Sequence, residues 1–348
     1  MWWIWFPYSI SLVLLVFVSN KLGEYVDAMD KKTKLSGAFL GGVLLAAVTS
    51  LPELITSITA AIIGQPEMTL GNILGSNVFD VAIIGFLMVL FCTRITKKTI
   101  SRGNVIICSA TLLVAVLILL CSIFDWSIII PGVNINILTP IILVLYFVTL
   151  LFTREKSEKV VDAASGEEGV AKQPEVVEEI ENGVVNKTVA LPLKTIIIRF
   201  VLLAIVLVGV SVAMTFMVDI IADMYSLQRG LAGAIFLGVA TSLPEIVSTF
   251  SLVRLHNFDA GYGNIMGSCL FNFGVIAIAD IFYFAGTVFI TNTASMILSI
   301  CLVAAVAFLL IFTLVRNSKL KIKNNIVMQI VAGILIVGCY IEFLALSV

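Results

Sequence analysis

Charged residues are scarce in this sequence. Asp, Glu, Lys and Arg make up 12% of its 348 residues, 60% are hydrophobic, and the mean hydropathy is +1.13. Soluble domains carry about twice that share of charge, so a soluble globular domain is excluded. The apolar excess falls in long blocks, which is the membrane pattern. A net charge of −1 says nothing about partners, and no nucleic-acid partner is expected. Histidine is almost missing: His256 follows an apolar block close to Arg254 and reads as an interfacial side chain. The six cysteines, Cys92, Cys108, Cys121, Cys269, Cys301 and Cys339, form no Cys-x-x-C and no Cys/His cluster. Zinc-type sites are thereby excluded, and buried free thiols are expected. Met1–Tyr8 has no basic n-region and no small-residue cleavage site after it, so the first apolar block is expected to be a retained span.

What the sequence does have is ten apolar stretches, at 4–20, 36–63, 68–92, 104–124, 133–152, 195–218, 230–253, 260–284, 289–315 and 326–347. A helix needs about 20 such residues to cross the ~30 Å hydrocarbon layer. Helices are expected because lipid offers open backbone groups no partner. Twenty of the 21 Lys and Arg residues then fall on one side of the membrane, and only Arg229 on the other. That bias makes the first side cytoplasmic and puts both termini outside, in a multi-pass cell-membrane protein. All four tryptophans fall on the outer face. The 153–193 stretch is rich in Glu and Lys, with Gly166, Gly169, Pro174 and Gly183, and reads as a flexible cytoplasmic linker.

An internal repeat organises the chain. Thr49-Ser-Leu-Pro-Glu53 returns as Thr241-Ser-Leu-Pro-Glu245, and Gly71-Asn-Ile-Leu-Gly-Ser76 as Gly263-Asn-Ile-Met-Gly-Ser268, both offset by 192 residues. Each half holds five spans, an odd number, so the second copy enters the membrane from the opposite side. The expected architecture is all-α, ten transmembrane helices in two inverted five-helix repeats: 1–152, the linker 153–193, and 194–348. Substrate sites in such folds lie near the midplane between the halves.

Three acids sit in span centres, Glu53, Asp80 and Glu245, with no Lys or Arg at comparable depth. Each costs roughly 2.5–3.5 kcal/mol there on insertion scales, so either protons or a mobile cation must neutralise them. Thr49 and Glu53, Ser76 and Asp80, Thr241 and Glu245, and Ser268 and Asn272 are i, i+4 pairs, each on one helix face. Pro52 and Pro244 break the backbone ladder and are expected to free carbonyls around 46–48 and 238–240. A hard cation such as Ca²⁺ takes six to eight oxygens of these kinds. Gly71, Gly75, Gly263 and Gly267 read as packing faces.

At these residues, from about 37 to 85 and from 230 to 277, the sequence resembles the Ca²⁺/cation antiporter superfamily, specifically its Na⁺/Ca²⁺ exchanger branch. The resemblance implies that Glu53 and Glu245 are central ligands shared by Ca²⁺ and Na⁺. Thr49, Ser50, Ser76, Thr241, Ser242 and Ser268 would add oxygens, with backbone carbonyls near Ala46 and Gly238, and Asp80 and Asn272 would close the site. The exchangers it most resembles commonly place the extra carboxylate of that last pair in the second repeat, whereas here the first repeat carries it. The H⁺/Ca²⁺ branch usually carries a glutamate shortly after Gly-Asn, where this chain has Gly75-Ser76 and Gly267-Ser268. The implied activity is Na⁺/Ca²⁺ antiport by a monomer in the lipid bilayer, with spans 1 and 6 as the moving elements and no cofactor. Proton-driven Ca²⁺ exchange is the alternative, and an intramembrane aspartyl-type enzyme a remote one. A passive channel is disfavoured, because no rings of like residues are seen.

Overall fold

A computed structural model describes residues 2–33, 50–95, 100–124, 128–130, 135–164, 191–254, 258–290, 292–318 and 325–347. Eleven principal helices are numbered here: α1 Trp5–Thr33, α2 Leu51–Ile62, α3 Pro66–Leu90, α4 Arg102–Phe124, α5 Leu138–Ala164, α6 Leu193–Tyr225, α7 Arg229–Thr241, α8 Leu243–Arg254, α9 Phe258–Phe282, α10 Thr293–Asn317 and α11 Ile326–Ser347. Among the described residues the only strand-like pairing is an isolated bridge between Ile129 and Asn136. Seven of the helices are long and apolar enough to cross a membrane, and the bent pair α7/α8 makes an eighth. The chain is an all-α, multi-pass membrane protein.

Burial separates the helices into two groups. Within their apolar windows α3 and α9 are 72% buried, against 28% for α1 and 17% for α6. The first two are apolar all round because other helices surround them; the last two are apolar because they face lipid. A large apolar core joins α3 and α9 to α4, α5, α10 and α11, through residues such as Ile73, Val81, Phe273, Leu302 and Ile336. A second core forms where α1 packs along α6, with Leu15, Val18, Leu22, Met214 and Val218, touching the rest through Ala60, Met68, Leu237 and Ala240.

Local sequence explains the joints. Gly64, at φ +79°, ends α2 with bonds from Gly64 N to Ala61 O and from Gln65 N to Ala60 O at 2.8 Å. This Schellman pattern needs a left-handed residue, which glycine adopts without strain. Pro66 then opens α3 as its first residue, so the chain reverses within three residues. Asn292 caps α10, its side chain accepting from Ser295 N at 2.7 Å in a reciprocal capping box.

Three features depart from expectation, and one span is described only in part. The span expected at 36–63 is described only from residue 50, and its first half lies outside the described residues. The span expected at 133–152 becomes helical at Leu138, where Asn136 Oδ1 accepts from Leu138 N at 2.9 Å. Its helix continues to Ala164, into the stretch read as linker. Residues Gly233–Gly238 form a π-helical segment inside α7, which no proline announces.

Candidate cation site

Two helix starts build the centre of the molecule. At Ser50 (φ −91°, ψ 9°) and Ser242 (φ −78°, ψ −4°) the backbone sits in the sparsely allowed bridge region. The second of these marks a 42° bend between α7 and α8. Proline follows two residues later at both places, and Glu53 and Glu245 occupy the first turns of α2 and α8. A helix N-terminus presents unpaired N–H groups and favours negative charge by roughly 0.3–1 kcal/mol. Both glutamates therefore project from the end of a helix that stabilises a carboxylate.

Against these starts pack α3, bringing Ser76 and Asp80, and α9, bringing Ser268 and Asn272. Ser50, Glu53, Ser76, Asp80, Thr241, Ser242, Glu245, Ser268 and Asn272 are all fully buried. Ser50 Oγ donates to Glu245 Oε1 at 3.1 Å and meets Ser268 Oγ at 2.9 Å. Thr241 flanks Glu53 and Ser242 flanks Asp80, both outside hydrogen-bonding geometry. The three carboxyl groups are electrostatic neighbours. Both oxygens of Glu53, both of Asp80, Oε2 of Glu245 and Oδ1 of Asn272 accept no hydrogen bond among the described residues. The ion pairs at Glu24 and at Asp219 and Asp223 involve none of these acids. Leaving a buried acceptor unpaired normally costs about 1–3 kcal/mol, so six in one place mark a site shaped for something that supplies positive charge.

The expected backbone ligand is already engaged. Gly238 O accepts from Ser242 N at 3.2 Å, from Ser76 Oγ at 3.1 Å and from Thr241 Oγ1 at 3.4 Å. Thr49 and Ala46 lie outside the described residues. Among the described residues no three acidic, thiol or imidazole groups converge tightly enough to form a metal cage by themselves.

Sequence reasoning passed over several polar residues around this centre. Asn72 donates to Thr56 Oγ1 at 2.9 Å and Ser57 Oγ at 2.8 Å. Asn264 donates to Ser248 Oγ at 3.0 Å and Thr249 Oγ1 at 2.9 Å. Every residue in the second trio lies 192 positions after one in the first, so extending the repeat past its two motifs would have found them. Asn77 and Cys269 are likewise 192 apart and touch: Asn77 Nδ2 donates to Cys269 O at 3.2 Å. A fourth buried acid, Asp280, accepts from Thr139 Oγ1 (2.5 Å), Asn136 N (3.0 Å), Thr287 Oγ1 (2.7 Å) and Val288 N (2.8 Å). It is saturated, and it staples the end of α9 to the start of α5. The packing faces are tight in the first repeat, since a Cβ on Gly71 would stand 2.0 Å from Gly230 O and one on Gly75 2.5 Å from Ala234 Cα. In the second, a Cβ on Gly263 would meet the Asn104 side chain at 2.7 Å, whereas Gly267 has nothing within 4 Å and is not a packing contact.

Known proteins are similar to this chain in sequence or in fold. The inner membrane protein YrbG of Escherichia coli is 24% identical over 275 residues, 77% of this chain and 76% of its own length. A structure of the sodium-calcium exchanger NCX_Mj superposes with a TM-score of 0.58 at 20% identity, covering 97% of this chain and 96% of that one. The H⁺/Ca²⁺ exchanger CAX superposes with a TM-score of 0.63 at 13% identity, covering 99% and 90%. The family model described as "Sodium/calcium exchanger protein" matches residues 3–154 and 195–348. This chain belongs to the sodium/calcium exchanger protein family.

Proposed function

We propose that the chain is a secondary antiporter exchanging Na⁺ for Ca²⁺ by alternating access at the site around Glu53, Asp80 and Glu245. As a family member it is a cation exchanger and not an enzyme, so the intramembrane-enzyme alternative falls away. One observation carries the finer reading: among the described residues, six buried carboxylate and amide oxygens around one centre accept no hydrogen bond, and none of the three acids takes part in an ion pair. Ca²⁺ takes six to eight oxygens at 2.3–2.6 Å, and one Ca²⁺ or several Na⁺ would neutralise most of three carboxylates. Occupancy by one ion therefore opposes occupancy by the other, which is the requirement for exchange. Among the described residues the acids form no closed cage by themselves, so the proposed hydroxyl, amide and carbonyl oxygens complete the coordination.

The inverted-repeat reading, with ten spans in two halves at 1–152 and 194–348 about a linker at 153–193, is supported by the 192-residue offset. That offset relates two motifs and also the Asn72 and Asn264 hydrogen-bond sets. By the same offset Thr49 and Ala46 are the counterparts of Thr241 and Gly238, and join Ser50, Ser76, Ser242, Ser268 and Asn272 in the proposed ligand set. The pairing of α1 with α6 outside the main core supports motion of that pair against the rest. A single chain contains every proposed ligand, so a monomer suffices.

Gly-Ser, where the proton-coupled branch usually has Glu, supports sodium as the coupling ion. Ca²⁺ efflux from loaded vesicles should follow an inward Na⁺ gradient and be indifferent to a pH gradient. Coupling to pH with none to Na⁺ would move the chain to proton-driven exchange. In intact cells, with the six native cysteines replaced, labelling of a cysteine placed at residue 170 by an impermeant reagent added outside would overturn the proposed orientation, with both termini outside.

A further inference from the structure

We infer that Asn77 is a positioning residue that fixes the side-chain amide of Asn272 so that it offers oxygen, and not nitrogen, to the transported cation. The inference rests on the reading of Asn272 as an ion ligand. An asparagine amide can turn either end toward a site, and only its oxygen binds a cation. Two contacts remove that freedom. The backbone oxygen of Cys269 can only accept, so the end of Asn77 that meets it at 3.2 Å is Nδ2. Asn77 therefore presents Oδ1 on its other side, which also can only accept. Asn272 must then turn its own Nδ2 toward Asn77, and the two meet at 2.9 Å. Asn272 Oδ1 is left as the free end, buried and without a hydrogen-bond partner among the described residues. Both asparagines are fully buried, so water does not compete for these bonds. The direction of each amide follows from a backbone carbonyl that cannot donate, and does not hinge on telling oxygen from nitrogen by eye.

The repeat supplies an independent observation. Asn272 lies 192 residues after Asp80, and Cys269 lies 192 residues after Asn77. A carboxylate has oxygen at both ends and needs no orienting partner, and the residue corresponding to Asn77 that stands on the α9 side is a cysteine. The amide ligand has an orienting amide, and the carboxylate ligand has none. The exchange of Asp and Asn between the halves is thus accompanied by a matching difference one helical turn away.

Partners that orient a metal ligand typically account for roughly 10–100-fold in metal affinity. Asn77→Ala should raise the Ca²⁺ KM of Na⁺-dependent uptake in proteoliposomes within that range, with a smaller change in kcat. Asn77→Asp, whose carboxyl still accepts from Asn272, should recover much of the loss. The same Asn77→Ala change in an Asn272→Asp background should have little further effect on KM, because a carboxylate at 272 needs no orientation. An equal loss in both backgrounds would assign Asn77 to packing and overturn the inference, as would an unchanged KM for Asn77→Ala alone. Asn272→Ala separates the two levels. If it raises KM while Asn77→Ala does not, the inference fails and the site stands. If it leaves KM unchanged, Asn272 is not a ligand and both fail. Where a variant carries too little flux, equilibrium ⁴⁵Ca²⁺ binding to the purified protein is read by the same criteria.

Discussion

Asp80 and Asn272 differ by one oxygen for one nitrogen, and that difference sets the charge of the site. With Asp80 ionised the site holds three negative groups; Asp80→Asn leaves two. Ca²⁺ concentrates two charges in one ion, whereas Na⁺ must neutralise the carboxylates in several steps, so Asp80→Asn should weaken the Na⁺ dependence of Ca²⁺ flux. Restoring the charge with Asn272→Asp on the Asp80→Asn background should recover transport in part. Recovery stays incomplete because the new amide at 80 faces the Cys269 side, which offers no orienting amide, while the new carboxylate faces Asn77. Na⁺-dependent flux of the two single variants and the double variant decides this. A double variant no better than Asp80→Asn would mean that the two positions are not equivalent halves of one site. At this scale much of the site was legible in the sequence, because acids without countercharge and hydroxyls four residues away are visible as letters. Asp280 was not, since its counterpart by the repeat is Met88 and the repeat therefore gives no signal there. Its four donors come from a turn and a neighbouring helix that only tertiary contact brings together.

At the scale of elements, α7 is where reading and structure diverge most. Pro244 announced the bend, and the 42° break after Thr241 follows from it. The π-helical stretch Gly233–Gly238 has no such signal. Its backbone is shaped by what packs on it: Tyr8 Oη on α1 donates to Phe236 O at 2.6 Å, and Gly71 and Gly75 of α3 lie against Gly230 and Ala234. π segments are rare and recur at functional sites; here the segment ends on Gly238, whose carbonyl meets Ser76. Close approach of α3 and α7 thus holds one wall of the site. Gly71→Ala would put a Cβ 2.0 Å from Gly230 O, so the two helices must separate. Overpacking of this kind costs about 1–3 kcal/mol. Gly209→Ala has open space around its Cβ and serves as the control. The thermal midpoint of purified protein in detergent should fall for the first variant and hold for the second. Equal midpoints would mean that the contact between α3 and α7 is not tight. The glycines were legible as a packing face from sequence; which helix they meet was not, because nothing in the sequence states how α3 and α7 cross.

The whole molecule divides into a main core around α3 and α9 and a peripheral pair, α1 with α6, bound chiefly to each other. The sequence predicted the multi-pass helical class from its apolar blocks, and the family match agrees. The separate pair of spans 1 and 6 was expected from the family resemblance alone; composition could not give it, since α1 and α3 are both apolar and differ only in what surrounds them. A moving pair beside a buried carboxylate centre accounts for exchange only if one centre serves both ions. The most direct test is equilibrium binding of ⁴⁵Ca²⁺ to purified protein under titration with Na⁺, for the native chain and for Glu53→Gln and Glu245→Gln. The account predicts one saturable Ca²⁺ site per chain, displaced cooperatively by Na⁺ and lost in both variants while their yield and thermal midpoint hold. Ca²⁺ binding that survives either substitution, or that Na⁺ fails to displace, would contradict it.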